Sequence, residues 1–272
     1  MKSITLGQFY PSNSPMHRLD PRMKVILAIL YIVCTFICKN VLSFALLFAS
    51  ALLLVLLSRI PLKIVIRSIR PILFILLFTA LINVFFTKGE MILVEWKFIH
   101  IYVEGLYQAG FMILRIAVLI IGTGMFLTYT TTPIMLTDAL ERLLSPLRVL
   151  HIPVHEFAMM MTIALRFIPT LVEETDKIMA AQKARGVDFS NGSLISRAKA
   201  LIPILIPLFV SSFRRADELA TAMECRCYHG GKGRTRMTIL HYRFSDVVAL
   251  FIMLTFGAGI IYLNRLGIGY TM

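Results

Sequence analysis

The sequence predicts an all-α membrane protein with about five transmembrane helices and a cytoplasmic module of long, proline-kinked amphipathic helices. Composition points there first: of 272 residues 58% are hydrophobic and only 16% charged, with a mean hydropathy of +0.79, outside the soluble range. Patterning points there next, because five apolar runs reach membrane length: about Val25 to Cys38, Val41 to Leu57, Pro71 to Thr87, Leu106 to Tyr129 and Val247 to Leu263. Charge placement is the third sign. Lysines and arginines fall in alternate connections rather than on one continuous face.

Helices are the expected spanning element, since open strands leave backbone donors unpaired in lipid and no run alternates with period two. The shortest run, the first, is flanked by Arg22 and Lys24 as anchors at its edge. Basic residues orient the set. Lys2, Arg18, Arg22 and Lys24 precede the first run, and Arg59, Lys63, Arg67 and Arg70 fill the second connection. The first connection has only Lys39, and the third sets Lys88 and Lys97 against Glu90, Glu95 and Glu104. The N-terminus and the 130–245 segment are therefore expected in the cytoplasm and the C-terminus outside. Three regions follow: 1–129 with four spans, 130–245 as the cytoplasmic module, and 246–272 with the last span. A net charge of +13 is then a topological signature, and no nucleic-acid partner is expected.

The first 20 residues are polar, with Pro11 and Pro15, so no removable signal peptide is expected. Cys34 and Cys38 sit in an apolar run and Cys225 and Cys227 in a basic one, which suggests no disulfide framework. Arg115 interrupts the fourth run and must face protein or a polar crevice, because a charge in lipid is costly.

The 130–245 segment reads as three helices. Thr132-Pro133 opens the first, running towards Arg148; the second runs from about Val154 to Arg185, closed by Gly186 and the polar turn from Asp188 to Ser193. The third runs from Leu194 to Arg226, ending near Gly230-Gly231. Each long pattern measures roughly 45 to 50 Å and is interrupted by Arg166 and Pro169, or by Pro203 and Pro207. Both are expected near the membrane surface rather than across it.

Two triplets close these helices: Ala184-Arg185-Gly186 and Cys225-Arg226-Cys227. A helix C-terminus carries partial negative charge and unpaired carbonyls, so it tolerates arginine, and small neighbours leave the guanidinium unobstructed as a forked donor. The triplets read as two plugs offered to soluble partners. Aligned on the arginines, Asp176, Ala181 and Arg185 match Asp217, Ala222 and Arg226, which fits either duplication or shared amphipathicity. Ala216, Leu219, Ala220, Met223 and Cys227 make a narrow apolar stripe for a helix contact.

No GxxxxGK[ST] loop is present, since Gly231-Lys232 is followed by Gly233. His151 and His155 beside Glu156 invite a metal-dependent intramembrane enzyme, although Pro153 separates the histidines and the glutamate follows the second. A channel or self-contained carrier using Arg115 is a further alternative. Met159, Met160 and Met161 beside Phe157 fit core filling or a sliding apolar surface.

Three segments together resemble the transmembrane T component (EcfT) of energy-coupling factor transporters. They are His17-Arg18-Leu19-Asp20-Pro21-Arg22-Met23-Lys24; Ala164-Leu165-Arg166-Phe167-Ile168-Pro169 leading to the first triplet; and Arg214-Arg215-Ala216 leading to Ala222-Met223-Glu224-Cys225-Arg226-Cys227-Tyr228. The resemblance implies a non-catalytic scaffold whose arginine triplets dock into two ABC-type ATPase subunits, which hydrolyse the ATP, while this chain binds no cofactor. It also implies an apolar surface for a substrate-binding S component, assigned to Phe157, Met160, Met161, Leu205, Leu208 and Phe209. The opening Gly7-Gln8-Phe9-Tyr10 resembles shared modules that serve several vitamin-binding S components. The second triplet departs from the usual Ala-Arg-Gly. Without glycine the helix end is expected to shift towards Gly230.

Overall fold

The computed structural model describes residues 9–87, 92–96, 99–187, 189, 193–230 and 240–266. Lys2, Gly7 and Gln8, Lys88, Glu90 and Lys97, Asp188, and Gly231 to Gly233, invoked above, lie outside the described residues. In chain order the elements are α1 (Pro15–Arg18), α2 (Pro21–Ile37), α3 (Val41–Ser58), α4 (Leu62–Phe86), β1 (Ile92–Trp96) and β2 (Ile99–Tyr102), followed by α5 (Val103–Thr123). A π turn (Gly124–Thr128) extends α5, and α6 (Pro133–Leu143), a 3₁₀ turn (Ser145–Leu150), α7 (Val154–Ala184), α8 (Leu194–Cys225) and α9 (Phe244–Leu266) complete the chain. Two compact units result. One comprises Thr5–Ala139 with Ile239–Met272, and the other Leu140–Thr238.

The all-α membrane fold is as expected, with two differences. β1 and β2 form an antiparallel hairpin pairing Trp96 with Ile99 and Val94 with Ile101. These strands are rich in Ile and Val but too short to show a period-two signal. Among the described residues five helices are long and apolar enough to cross a membrane, but the set is α3, α4, α5 with its π turn, α8 and α9. At 17 residues α2 spans only about 25 Å, just under a 30 Å hydrocarbon core. Conversely, α8 qualifies by length and composition although its prolines and charges pointed to a surface position.

Sequence chemistry sets the helix starts in the first unit. Ser14 caps α1 before Pro15, and Asp20 caps α2 before Pro21, its Oδ1 accepting from the Arg22 amide at 2.8 Å. Proline belongs at this first position, where its missing N–H has no intrahelical partner to lose. The core centres on α2, with Leu27, Tyr31, Phe44, Leu47, Val118 and Ile260 at most 2% exposed. Gly122 on α5 lies directly against the Tyr31 ring, and a Cβ there would fall inside the ring's van der Waals envelope. Small residues let helices approach this closely without water to drive them together. Arg115 is accounted for by protein, not lipid: its Nη2 donates to the Cys38 carbonyl at 3.1 Å and its guanidinium lies 5.3 Å from the Phe44 ring centroid.

The motif around Leu19-Asp20-Pro21-Arg22 is a polar lock between segments far apart in sequence. Arg22 makes a bidentate pair with Asp20, donating from Nε at 3.1 Å and from Nη2 at 2.9 Å. Arg22 Nη2 also donates to the Leu240 carbonyl at 3.0 Å, and the guanidinium stacks 4.0 Å over Tyr242. The Asp20 amide donates to Asp246 Oδ1 at 2.9 Å, and Lys24 Nζ donates to the carbonyls of Thr130 and His17 at 2.8 and 3.3 Å. Asp20, Arg22, Lys24 and Asp246 are all buried, so these partners are what make the charges tolerable.

Candidate functional site

In the second unit α7 and α8 form an antiparallel hairpin, as their cross-contacts show. Tyr228 donates to Met159 Sδ at 3.1 Å near one end, and Gln182 Nε2 makes a long 3.5 Å contact to the Pro203 carbonyl near the other. Pro207 has no N–H to offer that carbonyl, so glutamine takes the place of a helix bond. Midway, Glu174 accepts from both Ser211 and Arg215. These bonds, that of Ser211 first and that of Arg215 second, hold the Glu174 carboxyl below the usual carboxylate range. A depressed carboxylate stabilises the fold above its unfolded pKa and loses that contribution only as pH falls through the lowered value. The clamp is therefore intact at neutral pH. Arg215 lay within a sequence motif, but its partner Glu174 is 41 residues away and carried no local signal.

Both triplets end their helices with the same backbone geometry. After α7 the Gly186 amide donates to the Lys183 carbonyl at 3.0 Å and the Val187 amide to Gln182 at 3.1 Å. After α8 the Cys227 amide donates to Glu224 at 2.8 Å and the Tyr228 amide to Met223 at 3.0 Å. Each is a Schellman closure with the arginine at the C-cap and the next residue left-handed, Gly186 at φ 86° and Cys227 at φ 54°. The expected shift towards Gly230 does not occur. Cys227 accepts the left-handed conformation itself, at a steric cost of about 1 to 2 kcal/mol for an L-residue, because two closing bonds hold it there.

That cost gives a direct expectation. Cys227→Gly should relieve about 1 kcal/mol at this helix end and slow hydrogen exchange of the Tyr228 amide about fivefold, while the Val187 amide is unchanged.

Ala184, Arg185, Gly186, Cys225, Arg226 and Cys227 are all exposed. Among the described residues neither guanidinium has a side-chain partner. Because the hairpin is antiparallel, the two arginines sit at its opposite ends, about 40 Å apart at 1.5 Å per residue. All four cysteines are free thiols.

The apolar candidates do not make one patch. Phe157, Met160 and Met161 are exposed on α7 at the Arg226 end, whereas Leu205 and Phe209 are exposed, and Leu208 half-buried, on α8 towards the Arg185 end. The two groups lie about 30 Å apart along the hairpin. Phe213 extends the second group, meeting Phe209 edge to face at 4.7 Å.

The histidines are not brought together as a metal site. His155 Nδ1 is hydrogen-bonded at 2.9 Å to Glu141 on α6, Glu156 is exposed, and His151 lies at φ 60° in the turn before α7. No cluster of three His, Cys, Asp or Glu suited to a metal occurs among the described residues.

The CbiQ family, described as cobalt transport protein, matches residues 12–239. The energy-coupling factor transporter transmembrane protein EcfT of Ruminiclostridium cellulolyticum is 52% identical over 256 residues, covering 94% of this chain and 95% of its own length. The chain belongs to the EcfT family. The EcfT of Acidaminococcus fermentans is 50% identical over 262 residues, 94% of this chain and 97% of the relative, and that of Bacillus subtilis 46% over 264 residues, 97% and 99%. As an EcfT-family member the chain is a membrane-embedded, non-catalytic component of an energy-coupling factor transporter. The enzyme reading built on His151, His155 and Glu156 is thereby set aside.

Proposed function

We propose that this chain is the lever of its transporter, passing the ATP-driven motion of two ABC-type ATPase subunits to a vitamin-binding S component. The observation that carries this is the pair of congruent helix ends, each presenting an exposed arginine between small residues, with no side-chain partner among the described residues. Two like plugs suit two like sockets, and a helix C-terminus adds exposed carbonyls for a partner's donors. The clamp of Glu174, Ser211 and Arg215 makes the hairpin stiff, so a push at either end moves the whole.

Nucleotide is bound and hydrolysed by the ATPases, and this chain needs no cofactor of its own. Arg18 before α2 with Arg22 and Lys24 in its first turn, and Arg59 after α3 with Lys63, Arg67 and Arg70 inside the N-terminal part of α4 rather than in a connection, favour a cytoplasmic N-terminus and 130–245 module with an external C-terminus. The S component would engage the exposed Phe157, Met160 and Met161 together with Leu205, Leu208 and Phe209, reaching across about 30 Å, the width of a small domain. Large exposed apolar residues of this kind mark an interaction surface, and methionine lets such a surface repack around exchanging partners. The opening Phe9-Tyr10 and the Leu19-Asp20-Pro21-Arg22 run favour a module shared by several S components.

The test is ATP-dependent uptake by the complete complex in liposomes carrying Arg185→Ala and Arg226→Ala. Wild-type uptake by the double variant would overturn the proposal.

A further inference from the structure

The first unit contains an apolar groove of about 360 Å³ between α1, α2, α3 and α9. Its walls include Met16, Leu27, Leu46, Leu53 and Ile252, and its few polar atoms are spoken for. Ser50 donates its single hydroxyl hydrogen to the Leu47 carbonyl at 2.6 Å, which makes Tyr31 the donor to Ser50 across 3.4 Å. The floor therefore offers no free polar group, and the groove suits a hydrocarbon rather than a polar ligand. Leu46, Leu53 and Ile252 are also 37 to 61% exposed, so the groove opens sideways onto what surrounds the helices.

Its length and its mouth identify the occupant. From Leu57 to Leu46 the groove runs about 16 Å along α3, roughly half of a 30 Å hydrocarbon core and so one leaflet. At the Leu57 end stand Arg59, one residue past the end of α3, and Arg18, set between the lining residues Met16 and Leu19. Both arginines are exposed. The acids at this end, Asp20 and Asp246, are buried and committed to Arg22 and to backbone amides, so the mouth is net positive.

We infer that this groove is a binding site for one anionic phospholipid, an acyl chain lying against Tyr31 and Ser50 and the phosphate held by Arg18 and Arg59. Each arginine near an anionic headgroup contributes on the order of a fivefold gain in affinity, and the chain is shielded by the apolar walls. The inference is independent of which proteins grip the ends of the α7–α8 hairpin. It assigns the first unit a selective lipid contact on the leaflet next to the start of α2.

Native mass spectrometry of the intact complex, titrated with phosphatidylglycerol and with phosphatidylcholine of matched chains, tests it. One phosphatidylglycerol should be retained per chain in preference to phosphatidylcholine. Ala49→Phe adds bulk at an exposed lining position and should remove retention of both lipids. Arg18→Gln with Arg59→Gln should leave chain binding but weaken phosphatidylglycerol roughly 25-fold, abolishing the preference. Thermal unfolding of each variant checks that the unit is intact. Retention that is non-saturable, indifferent to headgroup in the wild type, or unchanged by Ala49→Phe overturns the assignment. So does loss of a protein subunit from the Ala49→Phe complex with lipid retention unaltered, which would give the groove to a protein partner.

Discussion

Replacing Arg185 and Arg226 together with alanine should reduce ATP-coupled uptake to background while leaving the protein inserted and folded. A charge-assisted hydrogen bond is worth about 1.5 to 3 kcal/mol, so each arginine supplies roughly a 10- to 100-fold preference for the docked state. Sites about 40 Å apart with no shared partners act additively in free energy, so the double loss approaches the product of the two. Each single variant should show an intermediate defect. Arg→Lys should recover only part of it, since an ammonium cannot reproduce a planar forked contact. The fold is spared because both guanidinia are exposed and make no side-chain contact among the described residues. Uptake, ATPase stimulation and membrane yield measured on the same preparations separate docking from folding.

The largest effect on stability is expected at Asp20. Asp20→Ala removes both carboxylate oxygens from Arg22, which is 7% exposed and would stay buried with its charge uncompensated. Breaking one partner of a buried pair costs about 3 to 5 kcal/mol. The cap on α2 goes with it, for about another 1 kcal/mol. Against a typical total of about 5 to 15 kcal/mol this is enough to lower the yield of folded protein and its unfolding temperature in detergent sharply. Asp20→Asn keeps an acceptor for the Arg22 amide and should recover part of the loss. An Asp20→Ala protein as heat-stable as the wild type would remove the lock from the account.

The ends of α7 and α8 were legible because helix punctuation is local. Pro153 precedes α7, Gly186 supplies a left-handed stop, and Ser193 caps α8 through its hydroxyl. Cys227 was not legible as a stop. Few non-glycine residues adopt positive φ, and only the closing bonds to Met223 and Glu224 reveal that this one does. The Leu19-Asp20-Pro21-Arg22 run could be recognised as a motif, but its partner Asp246 lies 226 residues away, and no pattern within a helix announces such a pair. Arg115 was legible as a residue that must face protein, whereas the Cys38 carbonyl that receives it was not. The apolar candidates on α7 and α8 looked like one surface until the antiparallel register set by Met159 with Tyr228 and Gln182 with Pro203 separated them. The groove beneath Leu46 and Ile252 depends on four helices meeting, so single-helix periodicity could not disclose it.

In the proposed lever each arginine tip engages its own ATPase. Thiol cross-linking in the assembled transporter measures this directly, using native Cys225 at one end and Ala184→Cys at the other, in a background where the remaining exposed thiols are serine. Each single-thiol protein should join to one ATPase subunit, and the protein with both thiols should join to two. Cross-links that reach only the membrane partner, or that leave both ATPases unlabelled in an active complex, would contradict the account.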